Sequence, residues 1–144
     1  MNSLERLRRL LPACWAGALL CLATIAAPAI FALLERADAG RVVGRIFLQE
    51  AWLSLVLGLV LLVLERLRAM RGLNSVLSAD VLLTLGTMFC TMAGYFAVQS
   101  FMPAARAGQL ALSFGQLHAI SALFFGAKIL LLGALAWRGA GPHR

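Results

Sequence analysis

Four long apolar runs, separated by short charged or polar stretches, organise this chain. They cover residues 11–34, 46–64, 81–101 and 113–137. About 20 apolar residues in helical form cross the hydrocarbon of a bilayer, so each run predicts one transmembrane helix. The punctuation between them sets the helix bounds. ERADAGRVVGR at residues 35–45 opens the second helix, with Asp38 expected as its N-cap. Arg66, Arg68 and Arg71 favour the end of that helix, and Gly72 follows as its C′ residue. Pro103 marks the end of the third. The expected helices therefore span about residues 11–34, 39–71, 79–101 and 113–137 of a single domain, residues 1–144. Short connections make neighbours antiparallel, so the expected fold is all-α: an integral membrane four-helix bundle, up-down-up-down.

Composition strengthens the membrane reading. Of 144 residues, 62% are hydrophobic and 13% charged, with a mean hydropathy of +0.89. Soluble domains carry about 45–50% apolar and about 25% charged residues. The basic start, residues 1–10, resembles the n-region of a signal peptide, but 24 apolar residues exceed the roughly 7–15 of an h-region. The first run is expected to be a retained helix. A net charge of +7 would suggest nucleic acid in a soluble protein. Here the arginines border apolar runs, so the expected partners are membrane lipids and not nucleic acid. Arg6, Arg8, Arg9, Arg66, Arg68, Arg71, Arg138 and Arg144 fall on one side, against Arg36, Arg41, Arg45 and Arg106 on the other. That imbalance predicts both termini in the cytoplasm, N-in and C-in, at the inner (plasma) membrane.

Each helix has a small or polar stripe. On the first it is Cys14, Gly17, Cys21, Thr24 and Pro28; on the second, Glu50, Ser54 and Gly58. On the third it is Asp80, Thr84, Thr87, Thr91 and Gly94, with Tyr95 beside them. Such stripes let helix backbones approach closely. Gly86, Cys90 and Gly94 form a further ridge, expected to serve a lipid-side or oligomer contact. Cys14, Cys21 and Cys90 are expected as buried small residues rather than disulfides or zinc ligands, and Met88 and Met92 as core. No metal site is expected.

Ionisable groups within hydrocarbon carry more weight, because burying them is expensive. Lys128, the only lysine, lies mid-span in the last run. His118, Ser121, Phe125 and Lys128 follow at i, i+3, i+7 and i+10. Counted from the start of their apolar runs, Glu50 and His118 share a depth and could pair, with Lys128 about 15 Å deeper and out of Glu50's reach. Thr87, Thr91 and Tyr95 are then its expected neighbours, with Cys21 or Thr24 from the first helix. The lysine would be neutral, would snorkel, or would meet a bound anion or a partner chain. The candidates for ligand binding or proton relay are Glu50, His118, Ser121, Lys128 and Tyr95; Arg41 and Arg45 are candidates for headgroup or anion binding. No catalytic residue is singled out, and no nucleophile triad, P-loop or dinucleotide fingerprint is present.

The pieces WAG, APAIFALL, AGRVVGRIF and FGQLHAIS resemble the bacterial relatives of transmembrane protein 205, the domain of unknown function number 4149 family. That resemblance implies a four-helix integral membrane protein with no settled biochemical role. The leading functional expectation is a binding or transport component for a small ion, proton or polar solute, with a homo-oligomer or larger membrane complex completing the site. The alternatives are a haem- or redox-associated enzyme subunit, with His118 as axial ligand, and a structural partner of a larger complex. No cofactor is expected under the leading reading.

Overall fold

The computed structural model describes residues 3–73 and 75–141. They form four long helices, with no strand among the described residues: α1 Ser3–Leu33, α2 Arg36–Met70, α3 Ala79–Arg106 and α4 Phe114–Ala140. Each is long and apolar enough to cross a membrane. Arg144, counted in the charge imbalance, lies outside the described residues.

The helices begin and end where backbone chemistry permits. Ser113 caps α4 by accepting from the Gln116 N–H, while the Gln116 side chain accepts from the Ser113 N–H. That reciprocal pair satisfies two otherwise orphaned donors. Ser78 caps α3 through the Val81 N–H. The N-cap of α2 is Glu35, not Asp38; Asp38 lies in the first turn, where its charge complements the helix dipole. Gly72 and Gly108 close α2 and α3 at φ +70° and +68°. In each case the glycine's own N–H and that of the next residue fold back on the last turn (Gly72 to Ala69 and Leu73 to Arg68; Gly108 to Ala105 and Gln109 to Ala104). This closure carries α3 to Arg106, past Pro103, so the proline does not end the helix as its sequence position suggested.

Two turns widen to i→i−5 hydrogen bonding. In α1 this is Leu22–Ala26, where the Ala27 N–H reaches the Leu22 carbonyl. Pro28 lies two residues beyond Ala26; it lacks an N–H, and a proline ring crowds the carbonyl four residues back, here that of Thr24. In α3 it is Met92–Ala97. Here the Gly94 carbonyl accepts from the Ser121 hydroxyl of α4 at 2.6 Å.

Trp15, Ala16 and Leu19 of α1, Leu61 of α2 and Leu132 and Leu135 of α4 form the main core, with Leu83 of α3 packed on it. A smaller cluster joins Val98, Met102 and Ala105 of α3 to Leu117 of α4. Large apolar side chains cover the outer surface, among them Trp52, Leu59, Leu123, Leu130 and Trp137. An apolar exterior around a partly polar interior suits a lipid surround.

The stripes turn out unequal. On α3, Asp80, Thr84, Thr87, Thr91 and Gly94 all face inward, as do Glu50, Ser54 and Gly58 on α2. On α1 the stripe faces outward: Cys14, Gly17 and Cys21 are exposed, while Pro12, Trp15, Ala16 and Leu19 are buried. So two of the three cysteines are not core residues; only Cys90 is buried. The ridge Gly86–Cys90–Gly94 meets α4 instead of lipid or a second chain. A Cβ on Gly94 would lie 2.3 Å from the Phe124 Cβ, and one on Gly86 3.2 Å from a Leu131 methyl.

Candidate functional site

Lys128 and Glu50 form a salt bridge inside the bundle, Nζ to Oε1 at 2.7 Å. Their side chains are 3% and 8% exposed. Ser54, one turn along α2 from Glu50, donates its hydroxyl to the same Oε1 and lies 3.3 Å from Lys128 Nζ. The indole N–H of Trp15 donates to Ser54 Oγ at 3.2 Å. Lys128 Nζ also lies 4.9 Å from the centre of the Phe125 ring, and Phe125 stacks edge-on against Phe47. Three helices thus supply one connected network, and the fourth carries its inward row of threonines alongside.

The local sequence accounts for each position. Glu50, Ser54 and Gly58 are four residues apart and so fall on one face of α2. A Cβ on Gly58 would lie 2.6 Å from Met88 Cγ, so this glycine lets α3 approach that face. Lys128 shares the buried face of α4 with Leu132 and Leu135. Two charges in a poorly solvated interior persist when paired at close range with their remaining valences hydrogen-bonded. The Ser54 hydroxyl and the Phe125 ring supply such contacts.

This pairing corrects the expectation that Lys128 lies too deep for Glu50. Depth has to be counted from the helix start, not from the apolar run. Helix α2 begins at Arg36 and α4 at Phe114, which puts Glu50 and Lys128 each fourteen residues in. At 1.5 Å per residue that is about 21 Å in both cases.

The other candidates lie elsewhere. His118 is on the exposed side of α4, stacked on Phe114 with ring centres 6.2 Å apart, and is not the partner of Glu50. Ten residues of α-helix rotate by about 80° from a full number of turns, enough to take His118 off the face of Lys128. The Arg106 guanidinium lies 4.5 Å from the centre of the Phe114 ring. Ser121 bonds to the Gly94 carbonyl, and the Tyr95 hydroxyl is 3.4 Å from the Gly44 carbonyl of α2. Thr84, Thr87 and Thr91 face inward, but their hydroxyls donate to the carbonyls of Asp80, Leu83 and Thr87 on their own helix. Those bonds replace the contacts expected between Lys128 and Thr87, Thr91 and Tyr95, and Cys21 and Thr24 stand on the exposed side of α1. Arg41 pairs with Asp38 at the exposed start of α2, and Arg45 is exposed one turn on. Among the described residues, no three of His, Cys, Asp and Glu are grouped as metal ligands.

A second charged cluster was missed by sequence reasoning. Arg8 of α1 reaches Glu5 at 2.8 Å, Glu65 of α2 at 3.3 Å and Asp80 of α3 at 3.5 Å. Arg138 of α4 reaches Asp80 at 2.7 Å, and Arg68 reaches Glu65 at 3.2 Å. Arg9 joins through Glu5 at 3.1 Å. One end of every helix is tied into this cluster. Part of it was readable: Glu5 precedes Arg8 and Arg9 by three and four residues, and Glu65 precedes Arg68 by three, both helical pair spacings. The inter-helix links required knowing which ends meet.

Against known proteins, the chain matches the model of one family, described as Domain of unknown function (DUF4149), over residues 10–111. That is well over half of the sequence, and the chain belongs to this family. The matched region contains Trp15, Glu50, Ser54 and Tyr95, and ends before α4 with His118 and Lys128. No curated protein matches the chain, and no solved structure does.

Proposed function

We propose that this protein is a multi-pass inner-membrane protein that binds or transports a small ion, proton or polar solute at the Glu50–Lys128 pair. One observation carries the reading: two opposite charges, each more than nine-tenths buried, meet at 2.7 Å midway along helices of membrane-spanning length. Ionisable groups at such depth are expensive in hydrocarbon and belong to pathways and relays more often than to packing. Protonating the carboxylate would leave the ammonium as one unpaired buried charge, so proton uptake at this pair is coupled to whatever then neutralises Lys128.

The finer arrangement belongs to the same proposal. The helices run up-down-up-down with both termini in the cytoplasm, as the excess of arginines beside the cluster of Arg8, Arg68 and Arg138 favours. The likeness to bacterial relatives of transmembrane protein 205 fits this architecture, though its FGQLHAIS piece lies beyond the matched residues.

The test is reconstitution into liposomes containing a pH-sensitive dye. An imposed pH gradient is expected to dissipate faster with the protein than without it. Lys128→Met and Glu50→Gln, each verified as folded by helical circular dichroism, are expected to abolish that difference. Unchanged proton movement in both variants would remove the pair from the function.

A further inference from the structure

We infer that the ligand exchanged at this pair is a compact monovalent anion, which enters with a proton and takes the place of the Glu50 carboxylate. The inference rests on the reading of the pair as a binding site and names what that site takes.

The geometry around Glu50 is that of a small anion in a cradle of donors. Lys128 Nζ and the Ser54 hydroxyl converge on a single oxygen, Oε1. Behind them, the Trp15 indole N–H fixes Ser54, so that the hydroxyl donates towards the carboxylate while its lone pair accepts from the ring. The Phe125 ring completes the surround of the ammonium on another side. Glu50 thus serves as a tethered anion, held by a cation and a hydroxyl that a free anion could use equally well.

Protonation provides the exchange. When the carboxylate gains a proton it becomes a neutral acid with an O–H donor, and Lys128 keeps its positive charge with no partner. A charge left buried and unpaired is strongly unfavourable. An anion arriving at the ammonium restores neutrality; when it leaves, Glu50 gives up its proton and returns to Oε1 contact. One proton and one anion move together, with no net charge crossing. Other titratable groups near the pair do not substitute for Glu50. α3 offers the buried Cys90 thiol and the Tyr95 phenol, whose hydroxyl lies 3.4 Å from the Gly44 carbonyl; thiols and phenols ordinarily lose their protons only above about pH 8. From α1 the buried face offers Pro12, Trp15, Ala16 and Leu19, none of which titrates.

Packing limits the size of the anion. Ala51 is fully buried, Ser54 is 1% exposed, and Trp15 and Leu132 close the same region. An anion that replaces the carboxylate in so closely packed a place has to be about the size of that group, which suits chloride, nitrate or formate and rejects a polyhydroxy acid such as gluconate.

Thermal unfolding of the full chain in detergent, at constant ionic strength, tests this with sodium formate or nitrate against sodium gluconate. Glu50→Gln mimics the protonated acid. Formate or nitrate, at about a hundredfold excess over its dissociation constant, should raise the midpoint of this variant on the order of 5 °C. That rise should be as large at pH 8 as at pH 5 and absent with gluconate. In the wild-type chain it should be larger at pH 5 than at pH 8, because the anion binds together with a proton. Lys128→Met should show none. If Glu50→Gln does not fold, Ser54→Ala takes its place: at pH 5 its apparent affinity for formate should fall about tenfold, as loss of one hydrogen bond to a charged group implies. Equal effects of formate and gluconate, or an effect retained in Lys128→Met or undiminished in Ser54→Ala, would overturn the inference. The two proposals fail separately. Lost proton movement in the pair variants without anion stabilisation removes the anion alone; unchanged proton movement removes the functional reading itself.

Discussion

Glu50 and Lys128 belong to helices that begin 78 residues apart in sequence, and they meet because each lies fourteen residues into its own helix. Glu50 stands five residues into its apolar run and Lys128 far deeper into its own, which hides the match. The charged first turns of α2 (Arg36, Asp38, Arg41 and Arg45) are helical but not apolar.

The pair makes a prediction about stability that does not depend on what it binds. Removing one partner leaves the other charged, buried and unmatched. Lys128→Met and Glu50→Gln are each expected to lower the unfolding free energy by about 3–5 kcal/mol. The double variant should recover a large part of that loss, since it removes both buried charges. Reversible unfolding in mixed detergent micelles, followed by circular dichroism, measures all three. Independent, additive losses in the double variant would mean that the 2.7 Å contact contributes no coupling.

Close approach of α3 and α4 at Gly94 gives a second prediction. A methyl group there would sit 2.3 Å from the Phe124 Cβ, well inside contact distance, with the Ser121 bond to the Gly94 carbonyl in the same crossing. Gly94→Ala should therefore destabilise by about 1–3 kcal/mol as the helices are forced apart. Gly126, on α4, has open space where its Cβ would be. Gly126→Ala should be neutral or slightly stabilising, because alanine is the better helix former. The two midpoints, measured side by side, separate crowding from helix propensity.

Four helices were legible from the apolar runs, and so were the inward threonines of α3 and the Glu50–Ser54–Gly58 face of α2, since periodicity survives in any surround. The stripe on α1 misled for a physical reason. In lipid the outer face of a helix need not be polar, so Cys14, Gly17 and Cys21 could stand on either side without penalty, while Trp15 and Leu19 took the interior. The i, i+10 spacing of His118 and Lys128 failed for another: it drifts by nearly a quarter turn, and His118 ends against Phe114. Which helix ends meet, and hence the cluster around Arg8, is a tertiary fact that spacing within one helix does not encode.

That cluster yields a third prediction. Arg8 is 10% exposed and contacts carboxylates from α1, α2 and α3. Arg8→Met would leave Glu65, which is 3% exposed, with less compensation, although Arg68 remains beside it. A loss on the order of 3 kcal/mol is expected. Arg138 is half exposed and Arg41 is 80% exposed, so screening by water reduces what either contributes. Arg41→Met is expected to change stability by less than about 0.5 kcal/mol. Comparable losses for Arg8→Met and Arg41→Met would show that burial does not distinguish the cluster from a surface pair.

The link from Trp15 to Ser54 can be isolated from the bulk of the indole. Trp15→Phe removes the N–H donor but also part of a core side chain, so its loss of stability mixes packing with hydrogen bonding. Ser54→Ala removes the acceptor and leaves the indole N–H unpaired in a buried site, while Glu50 loses one donor. A double-mutant cycle cancels the packing term common to both arms. The two changes should be non-additive by about 0.5–1.5 kcal/mol, the net value of one hydrogen bond between neutral groups. The same cycle run between Trp15→Phe and Gly126→Ala, whose added methyl meets nothing within 4 Å, should return a coupling near zero. A Trp15–Ser54 coupling indistinguishable from that control would mean that the indole supports the site by filling space alone, and the orientation of the Ser54 hydroxyl towards Glu50 would then need another cause.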